Sequence, residues 1–377
     1  MPSFRAYLTS WMVWGYYYRR KHATEQELLL SVRDNWKGKF AEEVVPPYIS
    51  SATETIAVSE EKFKGDGKGG QEWKVFHCAV PSGRGEVGAA DKVVIYWHGG
   101  AFIHAAASQH WGAVHRIVRD HHTPVVFPHY TRVPLSTADD WCRNALQFVL
   151  SLASDPRYAG KKLVYMGDSA GGWMSLRFRM LLCGILLREE ELSGMKIGED
   201  TRRRVKELLD GMGSTIMISP VVNLEMSDAL EEKDALDPWL SIAIFRIMRR
   251  IWIRGPSCCP EIDFDLPAER PAIASQSDST DALYSDGRYS LNNGLDVFKR
   301  YHDVNPSTPP FHLLTMIGTY DLCHVGCEDM QARLEKLGSK VVKADYIEAE
   351  GCVHVYPILT MPEAEMAWVK IGELLRE

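Results

Sequence analysis

The sequence predicts an α/β fold with a mostly parallel central sheet flanked by helices, and three observations carry that expectation. Lys92–Trp97, Pro124–Pro128 and Lys162–Met166 are short, nearly continuous apolar runs, as in strands buried on both faces. Helix-compatible segments, Gln109–Asp120 and Trp141–Leu150, lie between them and imply crossover connections. The third run ends in Gly167-Asp168-Ser169-Ala170-Gly171-Gly172 and leads into another helical segment. That gives strand, sharp turn and helix in one stretch.

Taken in order, residues 1 to about 55 read as helical and then irregular. Tyr7 to Tyr18 is rich in aromatics and ends against Arg19-Arg20-Lys21-His22. It is too short to span a bilayer and has no small-residue cleavage site behind an apolar core, so an amphipathic helix is the expectation. Such a helix suits either a membrane interface or packing over the protein's own active site. Glu25–Trp36 carries Leu28, Leu29, Val32 and Trp36 at near-helical spacing, and Pro46-Pro47 breaks the pattern. Thr53–Val58 and Trp73–Val80 read as strands joined by the polar, glycine-rich stretch Lys62–Gly70. That stretch lacks the glycine-to-lysine spacing of a phosphate-cradling loop, so it reads as a hairpin connection.

After the turn at Ser169, Ala170 to about Leu192 is expected as one long helix and Ser214–Val222 as the next strand. Pro238 to Trp252 reads as an amphipathic helix with large side chains, and Gly255 to about Ser290 as an extended loop rich in Pro, Ser and Asp. Strands resume at Phe311–Ile317 and Val341–Ile347, and Met361–Leu375 is the closing helix.

The glycines around Ser169 fit a strained turn that presents the hydroxyl at the N-terminus of the following helix. A serine that attacks a carbonyl needs a base, an orienting acid and donors for the developing oxyanion. Asp321 follows the strand ending at Ile317, and His354 follows the strand ending at Ile347. Nucleophile, acid and base therefore occur in the order Ser169, Asp321, His354, each just past a strand end. The candidate oxyanion donors are the N–H of Ala170 and those of the turn at Gly99, Gly100 and Ala101. Water then releases the acid from an acyl-enzyme. His98 reads as tying that turn down, and Asp168 as bracing the turn at Ser169. Phe102 and Trp173 adjoin these turns, so with His98 and Asp168 they are candidates for the pocket wall.

His98-Gly99-Gly100-Ala101-Phe102, Gly167-Asp168-Ser169-Ala170-Gly171-Gly172, Asp321-Leu322 and His354 together resemble the hormone-sensitive-lipase-like branch of the α/β-hydrolases. The resemblance is ordered across residues 92 to 356. It implies an α/β-hydrolase fold with a helical cap, and hydrolysis of carboxylic esters. The cap would comprise residues 1–50 and 224–300, and the core residues 51–223 and 301–377, forming one catalytic domain. Where the family has Tyr-Arg-Leu-Ala-Pro-Glu, this chain has Tyr130-Thr131-Arg132-Val133-Pro134-Leu135, and the segment 255–310 is longer than usual. An aromatic-rich cap favours hydrophobic or aromatic ester substrates over sugars or charged ones. An acyltransferase, a cyclase or an amide (formamide) hydrolase would use the same residues, and a ligand-binding protein could retain the scaffold without catalysis.

Composition bounds the partners. A formal charge of −7 without a basic stripe gives nucleic acid no attraction. The eight cysteines are scattered, several in apolar runs, which suits free thiols and a cytoplasmic setting. Cys323 and Cys327 flank His324, but no second ligand pair follows at a zinc-like spacing. The histidines between His104 and His129 match no ligand motif either, so no metal or cofactor is expected.

Overall fold

The computed structural model describes residues 2–34, 45–51, 55–65, 72–81, 91–190, 192, 195–260, 262–264, 266 and 281–377. Its strands are β1 (Ala57–Lys64), β2 (Glu72–Ala79), β3 (Lys92–Trp97), β4 (Val125–His129), β5 (Lys162–Asp168), β6 (Met212–Ile218), β7 (Phe311–Gly318) and β8 (Val342–Ala349). They form one sheet in the order β1-β2-β4-β3-β5-β6-β7-β8. β2 runs antiparallel to both neighbours, and every pair from β4 to β8 is parallel.

The helices precede, cross over and follow these strands. α1 (Phe4–Lys21), α2 (Glu25–Asp34) and the single turn α3 (Pro47–Ser50) come before the sheet. α4 (Ser108–His121), α5 (Ala138–Ala153), α6 (Ala170–Leu187) and α7 (Glu199–Asp210) lie between its central strands. α8 (Asp228–Asp234), α9 (Ile242–Arg254), α10 (Asp281–Tyr284) and α11 (Val297–Val304) fill the long excursion between β6 and β7. α12 (His324–Leu337) joins β7 to β8, and α13 (Pro362–Arg376) ends the chain.

Alternation along the buried strands divides the core into two layers. Val93, Ile95, Trp97, Tyr165 and Met217 face one side, packed with α5, α6 and α9. Val94, Tyr96, Val164, Met166 and Ile216 face the other, packed with α4 and α13. α6 is buried along nearly its whole length, which explains why it shows no polar face. It alone among the described helices is long and apolar enough to cross a membrane, yet 89% of that window lies inside the protein.

Several expected boundaries move. The first described strand covers Ala57–Lys64 where Thr53–Val58 was expected, so part of the expected glycine-rich connection is strand; residues 52–54 and 66–71 lie outside the described residues. This strand is a mostly exposed sheet edge whose charges Glu60, Glu61 and Lys62 resemble a loop in sequence. α2 stops at Asp34, and Trp36 lies outside the described residues. Pro47 opens a short helix, a position where its missing N–H costs nothing. α6 ends at Leu187, where Arg188 adopts a left-handed conformation. β6 ends at Ile218, α9 starts four residues after Pro238, and the stretch from Gly255 contains short helical turns rather than only loop. α7, α11 and α12 were not expected.

Candidate active site

β5 ends at Asp168 and α6 begins at Ala170, so Ser169 is the whole of the turn between them. Its backbone has φ 52° and ψ −116°, a left-handed conformation that costs a non-glycine residue about 1–3 kcal/mol. The turn is held by hydrogen bonds from Ser169 N to Ile218 O (2.8 Å) and from Val221 N to Ser169 O (3.2 Å). It also requires glycine at 171, where a Cβ would stand 1.8 Å from the Trp97 carbonyl oxygen. Absence of that atom lets α6 reach the end of β3.

The structure brings Ser169, Asp321 and His354 together from three strand ends. Ser169 Oγ lies 2.9 Å from His354 Nε2, and His354 Nδ1 lies 3.0 Å from each oxygen of Asp321. All three are buried. The Cys323 N–H donates to Asp321 Oδ1 at 2.8 Å, fixing the carboxylate. Val355, in a left-handed conformation, donates its N–H to Ser219 Oγ at 2.9 Å and so anchors the loop carrying His354. Burial opposes charge on the imidazole, but the Asp321 carboxylate beside it, its hydrogen bond, and the charges of Asp237 and Asp168 outweigh that. The ring therefore titrates above its ordinary value.

Asp168 lies beneath the glycine turn. It accepts hydrogen bonds from Tyr96 (2.8 Å), from the Gly99 N–H (3.1 Å) and from His110 Nε2 (3.2 Å). His110 Nδ1 accepts the Ala107 N–H at 2.7 Å, which leaves the proton on Nε2, pointing at Asp168. Burial raises this carboxyl, yet His110, Tyr96 and Gly99 together hold it below the usual carboxylate range. One expected oxyanion donor is thereby removed: the Gly99 N–H is committed to Asp168, because a buried carboxylate needs its donors. Gly100, with φ 107°, turns the chain so that the next amides can serve. The N–H groups of Gly100, Ala101 and Ala170 enter no hydrogen bond among the described residues.

These groups open onto a cavity of about 270 Å³. Gly100, Ala101, Asp168, Ser169 and His354 form its floor, and Trp239, Leu240, Ile244 and Ile358 give it apolar walls. Three of the expected wall residues are not there. Phe102 stacks on Trp252 at 4.1 Å and meets Trp173 edge-on, all three fully buried, so they form a solid aromatic layer. His98 is also buried: its Nδ1 donates to Gly99 O at 2.7 Å, its carbonyl accepts from Tyr130, and its ring stacks on Tyr130. These contacts tie the turn down.

Asp237 escaped the sequence reading. It is buried beside the acid, accepting the N–H groups of Leu322 (2.7 Å), Trp239 (2.7 Å) and Leu240 (2.9 Å). Burial and then the Asp321 charge push its carboxyl up to about 6, against His354 and those N–H donors. Trp239, on the turn it organises, meets the His354 ring edge-on at 5.8 Å. The only sequence signal was an acid placed just before Pro238 and an apolar helix.

Among the described residues, two groups of side chains have metal-like spacing: Asp321, Cys323 and His354, and His324, Glu328 and Glu348. The first is the Ser169 relay itself. In the second, Glu348 lies 2.8 Å from His324 Nε2 and Glu328 lies 3.1 Å from Nδ1, so both ring nitrogens face carboxylates. All eight cysteines are free.

An eight-stranded, mostly parallel sheet with a strained serine between strand and helix, facing a histidine and an aspartate from later strand ends, defines the α/β-hydrolase class. A family model described as the alpha/beta hydrolase fold matches residues 94–284, half of the chain. The chain belongs to this family, in its hormone-sensitive-lipase-like branch. Its sequence is similar to Esterase LipU of Mycobacterium tuberculosis, with 25% identity over 293 residues, covering 76% of this chain and 78% of that protein. A shorter similarity, 33% over 90 residues and 23% of each chain, links it to Carboxylesterase/phospholipase LipF of the same organism. In fold it is similar to a putative esterase from Staphylococcus aureus, with TM-score 0.61, 19% identity and 94% of each chain covered. It is also similar to carboxyl esterase 2 from Tuber melanosporum, with TM-score 0.59, 16% identity and 89% of each chain covered.

Proposed function

We propose that this protein is a serine hydrolase that cleaves carboxylic esters of small hydrophobic or aromatic molecules through an acyl-enzyme. The observation that carries the reading is the buried relay from Ser169 Oγ to His354 Nε2, at 2.9 Å, and on to Asp321, open to an apolar cavity. His354 takes the Ser169 proton as the hydroxyl attacks the ester carbonyl, and Asp321 stabilises the imidazolium that results. The N–H groups of Gly100, Ala101 and Ala170 receive the oxyanion. His354 then protonates the leaving alcohol, and water attacks the acyl-enzyme by the same route in reverse. The names of the relatives, LipU and LipF, support ester cleavage.

The cavity supports a small substrate. Trp239, Leu240, Ile244 and Ile358 offer apolar contact, and a volume of about 270 Å³ suits a small acyl group. In this reading residues 1–50 and 224–300 act as the cap over a core of residues 51–223 and 301–377. The free thiols favour a reducing compartment, the cytoplasm.

The test is hydrolysis of p-nitrophenyl acetate, butyrate and octanoate by the wild type and Ser169→Ala, with chelator present throughout. Turnover confined to the wild type and falling towards octanoate is the expected result. Two inert but folded proteins, or equal activity in both, would remove the reading.

A further inference from the structure

α1 is turned inside out relative to an ordinary surface helix. Small or modest side chains, Ala6, Thr9, Ser10 and Val13, occupy its inward arc, with Ala6 fully buried. Its outward arc carries Phe4, Leu8 and Trp11, spaced four and three residues apart, flanked by Tyr7 and Met12. Phe4 is 80% exposed and Trp11 71%. These are five of the ten large apolar side chains exposed among the described residues, gathered on one face of one helix. Single exposed apolar residues are ordinary, but a contiguous face of this kind marks an interaction surface.

The charge of the helix says what covers it. In a chain of net charge −7, α1 carries Arg5, Arg19 and Arg20 besides Lys21, whose charge Asp234 meets at 2.9 Å, and contains no acidic residue. A second copy pairing through this face would bring two cationic helices together with nothing on either to neutralise them. An anionic surface would attract it. Seven of its eighteen residues are aromatic, the side chains that settle at the level of lipid headgroups.

We infer that α1 is an interfacial helix that docks the protein on an anionic phospholipid bilayer through Phe4, Tyr7, Leu8, Trp11 and Met12. Its ends are anchored so that docking orients the site. At the N-terminal end the Ser3 N–H and hydroxyl donate to the Glu363 carboxylate, at 2.6 and 3.0 Å. At the other end Lys21 Nζ binds the Asp234 carboxylate at 2.9 Å and the carbonyl oxygen of Leu240. Leu240 belongs to the cavity wall, so a bilayer under α1 lies close to the cavity rim. Among the described residues none of α1 lines the cavity, and the exposed face of Phe4, Leu8 and Trp11 stands apart from it. The inference does not rest on the esterase reading.

The experiment is co-sedimentation of the full chain with extruded vesicles of phosphatidylcholine, with and without phosphatidylglycerol. Wild type is compared with the Phe4→Ser/Trp11→Ser double variant at low and high salt. Sedimentation velocity without lipid and hydrolysis of p-nitrophenyl acetate are measured on the same samples. The expected result is binding to the anionic vesicles, weakened by salt and lowered at least about tenfold in the variant, with soluble-ester turnover unchanged. Failure to bind anionic vesicles would overturn the inference, as would binding that ignores both salt and the two substitutions. A lipid-free dimer that the substitutions dissociate, without vesicle binding, would instead assign the face to a second copy. Lost ester turnover in an otherwise membrane-binding wild type would count only against the catalytic reading.

Discussion

Asp237 Oδ2 accepts the Leu322 N–H at 2.7 Å, so a residue from the β6–β7 excursion is fastened to the peptide that follows Asp321. Its other oxygen takes the N–H groups of Trp239 and Leu240, which line the cavity. One carboxylate thus joins the pocket wall to the acid of the relay, and its charge adds to the field that raises His354. Asp237 acts through its neighbours, as a positioning residue. In Asp237→Asn the charge is lost and an amide NH₂ must face an N–H donor. The acid limb of kcat/KM is expected to move down by up to about one pH unit, and kcat to fall about tenfold or more. Asp237→Glu keeps the charge but displaces the turn, so it should lower kcat while leaving the limb nearly in place. A limb unmoved in both variants would reduce Asp237 to scaffold.

The pH profile of the wild type follows from His354. In the proposed mechanism the ring accepts the Ser169 proton only when neutral, and its neighbours hold its pKa above the free imidazole value. Activity is therefore expected to fall, as pH decreases, through a midpoint above about 6.5. A kcat/KM titration with p-nitrophenyl acetate measures it, and a midpoint below the ordinary value would contradict the geometry.

Removal of the proposed nucleophile should be far more severe. Ser169→Ala is expected to lower kcat/KM by about 10⁴-fold or more without loss of fold, and to abolish labelling by a fluorophosphonate. The strained backbone at 169 is equally open to alanine, so circular dichroism and melting temperature should stay close to wild type.

The cavity wall predicts a gain as well as losses. Ile244→Ala deepens the apolar side of the cavity without touching the relay. The ratio of octanoate to acetate turnover should rise about tenfold, the scale set by a few methylene groups in an apolar pocket. An unchanged ratio would place the acyl chain elsewhere.

Gly171 bears directly on stability. A methyl at this position meets the carbonyl oxygen of Trp97, backbone on both sides, and nothing flexible is available to move. Gly171→Ala should cost about 3 kcal/mol or more, read as a lowered melting temperature together with lost activity.

Much of this architecture was legible in the chain because its strongest signals are local. β3 and β5 are buried on both faces, so they are largely apolar, and the glycines at 167 and 171 fit a turn at Ser169 where α6 and the end of β3 come very close. The order Ser169, Asp321, His354 could be read because each follows such a strand. What could not be read depends on partners distant in sequence. β1 is an exposed, charged edge, so periodicity says little about it. Gly99 looked like an oxyanion donor until its N–H met a carboxylate 69 residues away. Phe102 and Trp173 adjoin the right turns, yet Trp252 from α9 closes over them. Asp237 gains its meaning only when the excursion between β6 and β7 folds against residue 322.

Burial of α6 bears on how the chain is made. Despite Arg177 and Arg179, this helix has the length and hydropathy of a membrane span, but in the finished protein it is sheathed, in part by α11. α11 leaves the ribosome long after α6 does, so a nascent chain carries a bare, greasy rod until synthesis has passed Val304. Chains truncated before that point should precipitate or be held by chaperones, and expression yield should depend on folding assistance more than the stability of the completed enzyme would suggest.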